Sequence, residues 1–173
     1  MYRNGDDVLY NCIFSRRSAA KNNQRWFVYG GNAWNGNLCD NDFCGAVSFL
    51  HELISDEEKE KGIIPRLCEL MDGVPDGILG VCTSAPEKEF DYYIAVASTK
   101  PCPHGLSDLL VPESDWAIFE CTGPIPQAIQ NMQKRIVSEW LPTSGYQYAE
   151  CPDLERYFAE EDHAEIWIPV VRK

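Results

Sequence analysis

Residues 115–140 read Asp115-Trp116-Ala117-Ile118-Phe119-Glu120-Cys121-Thr122-Gly123-Pro124-Ile125-Pro126-Gln127-Ala128-Ile129-Gln130-Asn131-Met132-Gln133-Lys134-Arg135-Ile136-Val137-Ser138-Glu139-Trp140. The first seven form a short apolar run that ends at the turn residues Thr122-Gly123-Pro124, which predicts a strand. After the turn, Ile125, Ala128, Ile129, Met132, Ile136 and Trp140 recur at steps of three and four, with Gln, Asn, Lys and Arg between them. That is the stripe of an amphipathic helix. Pro126 suits its first turn and Pro142 stops it.

Downstream, Tyr146–Tyr148, Leu154–Phe158 and Ala164–Val170 alternate like strands, with an acidic turn at Glu160-Glu161-Asp162. Upstream, Gly77–Cys82 and Phe90–Ser98 are two further strand-like runs joined as a hairpin, and Pro101–Gly105 reads as a turn. Before them, Ile63, Ile64, Leu67, Leu70 and Met71 repeat helical spacing, as do Val47, Phe49, Leu50, Leu53 and Ile54. Ser55 and Glu58 could form a capping box. Residues 31–46, rich in Gly and Asn, read as a long loop, and Arg25–Tyr29 as a strand. Each half of the chain then runs β-α-β-β, with pseudo-repeats at about 23–100 and 110–173 and a loose basic arm over 1–22. The expected class is α+β, with helices covering one face of a curved antiparallel sheet.

The composition sets limits on what such a fold can do. A chain of 173 residues with 45% hydrophobic and 24% charged residues is long enough for one domain with its own core. No apolar run is long enough to span a membrane, and the first seven residues lack the apolar core of a signal peptide. With free thiols as the default, a cytoplasmic setting is expected. The net charge is −12; five basic against two acidic side chains give the first 26 residues +3 and leave the rest at −15. Such a balance disfavours direct nucleic-acid binding, which needs clustered Lys and Arg.

The eight cysteines, at 12, 39, 44, 68, 82, 102, 121 and 151, include no CxxC pair. Cys68, Cys82 and Cys121 fall on apolar positions, where a thiol packs as a small hydrophobe. Cys39/Cys44 and Cys102/His104 lack zinc spacing, and His51-Glu52 has Ser55 where a second histidine would be needed. No metal or cofactor is expected.

Strand alternation sorts the side chains onto two faces. One set is Ile166, Ile168 and Val170 with Ile94 and Val96; Leu154 and Phe158 are assigned to the same core face. The opposite set is then Glu155, Tyr157, Glu165, Trp167 and Tyr93 beside the small Ala95 and Ala97. Aromatic walls, a small-residue floor and a carboxylate are what an organic cation requires. The carboxylate supplies counter-charge, and each aromatic face adds cation–π attraction of about 0.5–2 kcal/mol. The other reading is a solvated sheet face, common in antiparallel sheets.

Several motifs carry a resemblance. They are Phe90-Asp91-Tyr92-Tyr93-Ile94-Ala95-Val96, Val111-Pro112-Glu113-Ser114-Asp115-Trp116-Ala117-Ile118-Phe119 and Gly123-Pro124. Glu139-Trp140-Leu141-Pro142-Thr143-Ser144-Gly145-Tyr146, Cys151-Pro152-Asp153-Leu154-Glu155-Arg156-Tyr157 and Glu165-Ile166-Trp167-Ile168-Pro169-Val170 follow in order. Over residues 77–170 the chain resembles the GyrI-like small-molecule-binding domain, the effector-binding domain of many AraC-type bacterial regulators. The resemblance implies two βαββ pseudo-repeats of the SHS2 type around a ligand cleft, and a central Glu that recognises cationic or amphipathic ligands among aromatics. That Glu looks like Glu155, with Tyr157 on its face, and Tyr93, Phe119, Trp140, Glu165 and Trp167 as further ligand-binding candidates.

The leading function is therefore a small-molecule sensor that reaches DNA only through a fused or partner helix-turn-helix module, with no membrane partner. One alternative is a GyrI-like hydrolase of reactive electrophiles, with Glu155 handling the water and Tyr157 or Tyr93 as proton donor. A second alternative is a gyrase-inhibitor-like interaction module presenting an acidic surface.

Overall fold

The computed structural model describes residues 2–4, 8–10, 12–15, 25–29, 63–84, 90–159 and 162–173. Its strands are β1 (Tyr2–Asn4), β2 (Val8–Tyr10), β3 (Cys12–Ser15), β4 (Arg25–Tyr29), β5 (Ile78–Ser84), β6 (Phe90–Ser98), β7 (Ser107–Leu109), β8 (Asp115–Thr122), β9 (Tyr146–Tyr148), β10 (Asp153–Tyr157) and β11 (His163–Arg172). The helices are α1 (Ile63–Leu70), α2 (Gln127–Arg135) and the single turn α3 (Leu141–Thr143), with a π-helical turn over Ile136–Trp140 between the last two. The expected helix over 47–54, the capping box at Ser55 and the loop over 31–46 lie outside the described residues. Three short strands fall within the stretch read as a loose arm: β1 pairs with β2, and β3 joins the large sheet beside β8. β7, too short and polar to stand out in the sequence, was not expected.

The main sheet is antiparallel, in the order β3-β8-β11-β10-β5-β6-β4-β7, with β9 pairing the end of β11. Within it β8-β11-β10 and β4-β6-β5 mirror each other, so the two β-α-β-β halves meet where β10 pairs β5. The α+β class with a curved antiparallel sheet and helices on one face is therefore the observed fold.

Periodicity explains how each helix docks. α1 packs Leu67, with Ile63, Ile64, Leu70 and Met71 around it, on Tyr92, Ile94 and Val96 of β6. Its C-terminus is pinned by Asp72, whose carboxylate accepts from the Thr99 N–H at 2.6 Å and from the Ser98 and Thr99 hydroxyls. The Thr99 N–H holds that carboxyl below its ordinary range.

α2 packs Ile129 on Ala117, Phe119 and Cys121 of β8 and on Ala164, Ile166, Ile168 and Val170 of β11. Gly123, at φ +118°, makes the left-handed turn that swings the chain from β8 toward α2. The steps Met132–Ile136–Trp140 are each four residues, wider than an α-helical turn. The π-turn absorbs the difference and keeps Ile136 and Trp140 buried on one side. Cys82 and Cys121 are buried thiols, as their apolar positions suggested, but Cys68 is exposed on α1.

The alternation on β10 runs opposite to expectation. Glu155 pairs with Gly80 and Ile166, and Tyr157 with Ile78 and Ala164, so both lie on the helix side. Leu154 instead lies on the other face, in a second apolar cluster with Leu79, Val81, Trp116 and Trp167. Both faces of these central strands are buried, so period-two alternation separates the two sets without saying which one the helices cover.

Candidate functional site

Glu155 sits in the middle of β10, at the junction of the two halves, and is 3% exposed. A glutamate there is paid for by geometry on the facing strand. Its register partner is Gly80, and the missing side chain lets Tyr92 reach across β5 from β6. Tyr92 Oη donates to Glu155 Oε2 at 2.7 Å, and Tyr157 Oη donates to the same oxygen at 2.7 Å. A Cβ on Gly80 would lie 2.8 Å from Tyr92 Cζ and 3.0 Å from Glu155 Oε2. The glycine is therefore required by close approach, since its backbone is ordinary strand.

The other carboxylate oxygen, Oε1, is buried and has no hydrogen-bond partner among the described residues. Burial pushes the Glu155 carboxyl up to about 7; the two phenols partly offset this, and the neighbouring Asp153 adds to it. Burial and the Glu155 charge hold both phenols well above their ordinary range, so they act as donors. The Cys121 thiol on the same face is pushed up to about 12 by burial, then by Glu155 and Glu165. Tyr157 is half-buried and packs against both helix-side clusters, the one that holds Leu67 of α1 and the one that holds Ile129 of α2.

The second candidate carboxylate is differently placed. Glu165 lies on the face away from the helices, where its Oε2 accepts from Arg156 Nη1 at 3.0 Å and from Trp167 Nε1 at 2.9 Å. Arg156 is anchored in turn by Asp76, through its side chain and its backbone carbonyl. Glu165 is thus compensated, whereas Glu155 has no cationic partner among the described residues. A buried carboxylate without a counter-cation is costly, which singles it out.

The seven candidates from the sequence do not form one pocket. Glu155 and Tyr157 share the helix side with Phe119 and Trp140, but those two rings are core: they meet edge to face at 5.0 Å, with Tyr146 stacked on Trp140. Tyr93, Glu165 and Trp167 belong to the opposite face. Tyr92 and Gly80 were missed. A glycine inside a strand signals close backbone or side-chain approach, so Gly80 was open to detection. Among the described residues no group of three or more His, Cys, Asp or Glu side chains is arranged to hold a metal.

The family model for integron-associated effector-binding proteins, Cass2, matches residues 54–170, well over half of the chain. The chain belongs to this family. It carries the GyrI-like effector-binding fold, and solved structures agree on that fold. SAV2435 bound to tetraphenylphosphonium superposes with a TM-score of 0.70 at 20% identity, covering 95% of this chain and 94% of that one. The integron cassette protein VCH_CASS2 of Vibrio cholerae gives 0.60 at 13% identity, covering 96% and 100%. EcmrR in its complex with DNA gives 0.61 at 14% identity, covering 95% of this chain but 59% of that one. None of the curated proteins matches the chain. The family match spans α1, β5, β6, β8, α2, β10 and most of β11, so it contains Gly80, Tyr92, Glu155 and Tyr157.

Proposed function

We propose that the chain senses a hydrophobic cation or cationic amphipath, with Glu155 as the counter-charge and Tyr92 and Tyr157 as its aromatic surround. The observation that carries this reading is the buried carboxylate whose second oxygen is unpartnered. A ligand cation would supply the missing charge, and the phenol rings would add cation–π attraction. The tetraphenylphosphonium held by SAV2435 is a ligand of this chemistry. Coupling to transcription would run through a fused or partner DNA-binding module, as the extra length of EcmrR in its DNA complex suggests. Signalling of this kind requires that the ligand contact two states of the protein differently.

Calorimetry with tetraphenylphosphonium tests the assignment. Glu155→Gln keeps the shape and removes the charge, and a charge-assisted contact of about 2 kcal/mol corresponds to roughly 30-fold weaker binding. Because the carboxyl titrates near pH 7, about a tenth of it is ionised at pH 6, so wild-type affinity should be roughly tenfold lower at pH 6 than at pH 8. The variant should show a flat profile. Equal affinity of the two proteins would remove Glu155 as the recognition residue.

The same titration favours a second reading, a hydrolase of reactive electrophiles. A carboxyl poised near neutrality and held by two phenol donors suits general acid–base work on water. Tyr157 or Tyr92 would be the proton donor; Tyr93, the other donor named from the sequence, points to the opposite face. Turnover of an epoxide substrate that is lost in Glu155→Gln supports this reading. Tight binding without turnover supports the sensor.

A further inference from the structure

The face of the sheet away from the helices contains a second buried polar atom without a partner. Trp116 is fully buried, and its indole N–H finds no acceptor among the described residues. Its surroundings are apolar: Val81, Ala95, Val111, Leu154 and Trp167 belong to the same cluster. The Trp167 ring stands edge-on at 6.0 Å, and its own N–H is already taken by Glu165.

A buried donor without an acceptor is costly and calls for an explanation. A trapped water is a poor answer, because buried waters make about three hydrogen bonds, and among the described residues Trp116 Nε1 is the one unpartnered buried side-chain polar atom on this face. A molecule that brings one acceptor on an apolar body is a better one. A ligand cation is not favoured here, since Glu165 is already balanced by Arg156.

We infer that this face holds a ligand subsite distinct from Glu155, for a neutral, flat molecule with a hydrogen-bond acceptor such as a ketone or ester carbonyl, gripped by the Trp116 indole N–H. The side chain that yields to it is Val111. It enters the cluster from the segment between β7 and β8, which has no helix or strand, and its neighbour Leu110 is 71% exposed. Ala95 and Ala97 leave the strand floor low beneath a planar ring.

The test uses a matched pair of probes, 2-acetylnaphthalene and 2-ethylnaphthalene, on nitrogen-15-labelled protein. The acetyl compound should bind roughly five- to tenfold tighter and move the Trp116 indole N–H signal downfield, and tetraphenylphosphonium should leave that signal in place. In Trp116→Phe, which keeps an apolar ring and removes the donor, the two naphthalenes should bind alike. The indole shift in the wild type decides the matter even where the variant folds poorly. Equal affinity of the two probes, an unmoved indole signal at saturation, or competitive displacement of the acetyl compound by tetraphenylphosphonium would each overturn the subsite. Failure of tetraphenylphosphonium to bind, with the naphthalene results as stated, would remove the Glu155 reading and leave this one standing.

Discussion

Gly80→Ala should lower the thermal midpoint by about 6–12 °C, the result of losing about 3 kcal/mol in a chain of this size. Alanine in place of glycine inside a strand normally stabilises by about 0.5–1 kcal/mol through backbone entropy, so the expected sign is reversed. The cause is local. The new methyl would occupy the space through which the Tyr92 phenol passes to Glu155. Overpacking of this kind costs about 1–3 kcal/mol, and a phenol pushed aside leaves both itself and the carboxyl short of a buried hydrogen bond. Tyr92→Phe removes the hydroxyl that the methyl meets. The double variant should therefore recover part of the loss, and calorimetric unfolding of the four proteins gives the coupling directly. Additive losses would mean that Gly80 matters for some reason other than the phenol.

The second large effect is on the pH dependence of stability. Glu155 titrates at about 7 in the folded protein against 4.5 for the unperturbed group. Between those values the folded state binds more protons than the unfolded one. Stability from this group is therefore complete below pH 4.5 and is lost as pH rises through about 7. A difference of that size is worth about 3 kcal/mol. The groups facing Glu155 are Tyr92 from β6, Tyr157 and Asp153 from β10, and Cys121 from β8. Both phenols and the thiol titrate well above this window. Asp153, pushed up to about 6 by burial, adds to the slope in the same direction. Denaturant unfolding at pH 5 and pH 8 should show the wild type losing stability at the higher pH. Glu155→Gln should lose much less, and so be the more stable protein at pH 8. An equal slope in both proteins would place the titration elsewhere.

These expectations show which parts of the structure could be read from residues alone. Arg25–Tyr29, Phe90–Ser98 and Tyr146–Tyr148 were bounded correctly, and the helical stripe of 125–140 was found, because periodicity and turn residues are local signals. The orientation of β10 was not local. Leu154 and Glu155 differ in which cluster they enter, and that depends on their partners Trp167 and Ile166 across the sheet. A carboxylate in a strand reads as solvent-facing, so Glu155 was placed on the wrong face while being named as the site. The choice of Tyr93 over Tyr92 follows from the same inversion, since adjacent residues point to opposite faces. Trp116 reads from the sequence only as a strand and motif residue, because an indole without an acceptor is visible only once its neighbours are in place.

The π-turn over Ile136–Trp140 makes this region sensitive to residue number rather than to residue type. Exposed positions within it, such as Val137 at 55%, can change identity without touching the core. Removing one residue from α2 while the π-turn keeps its width would rotate everything after it by about 100°. Trp140 would then leave Phe119 and Tyr146, taking with it the closure of the C-terminal half. Insertions and deletions, more than substitutions, are what this stretch of chain cannot absorb.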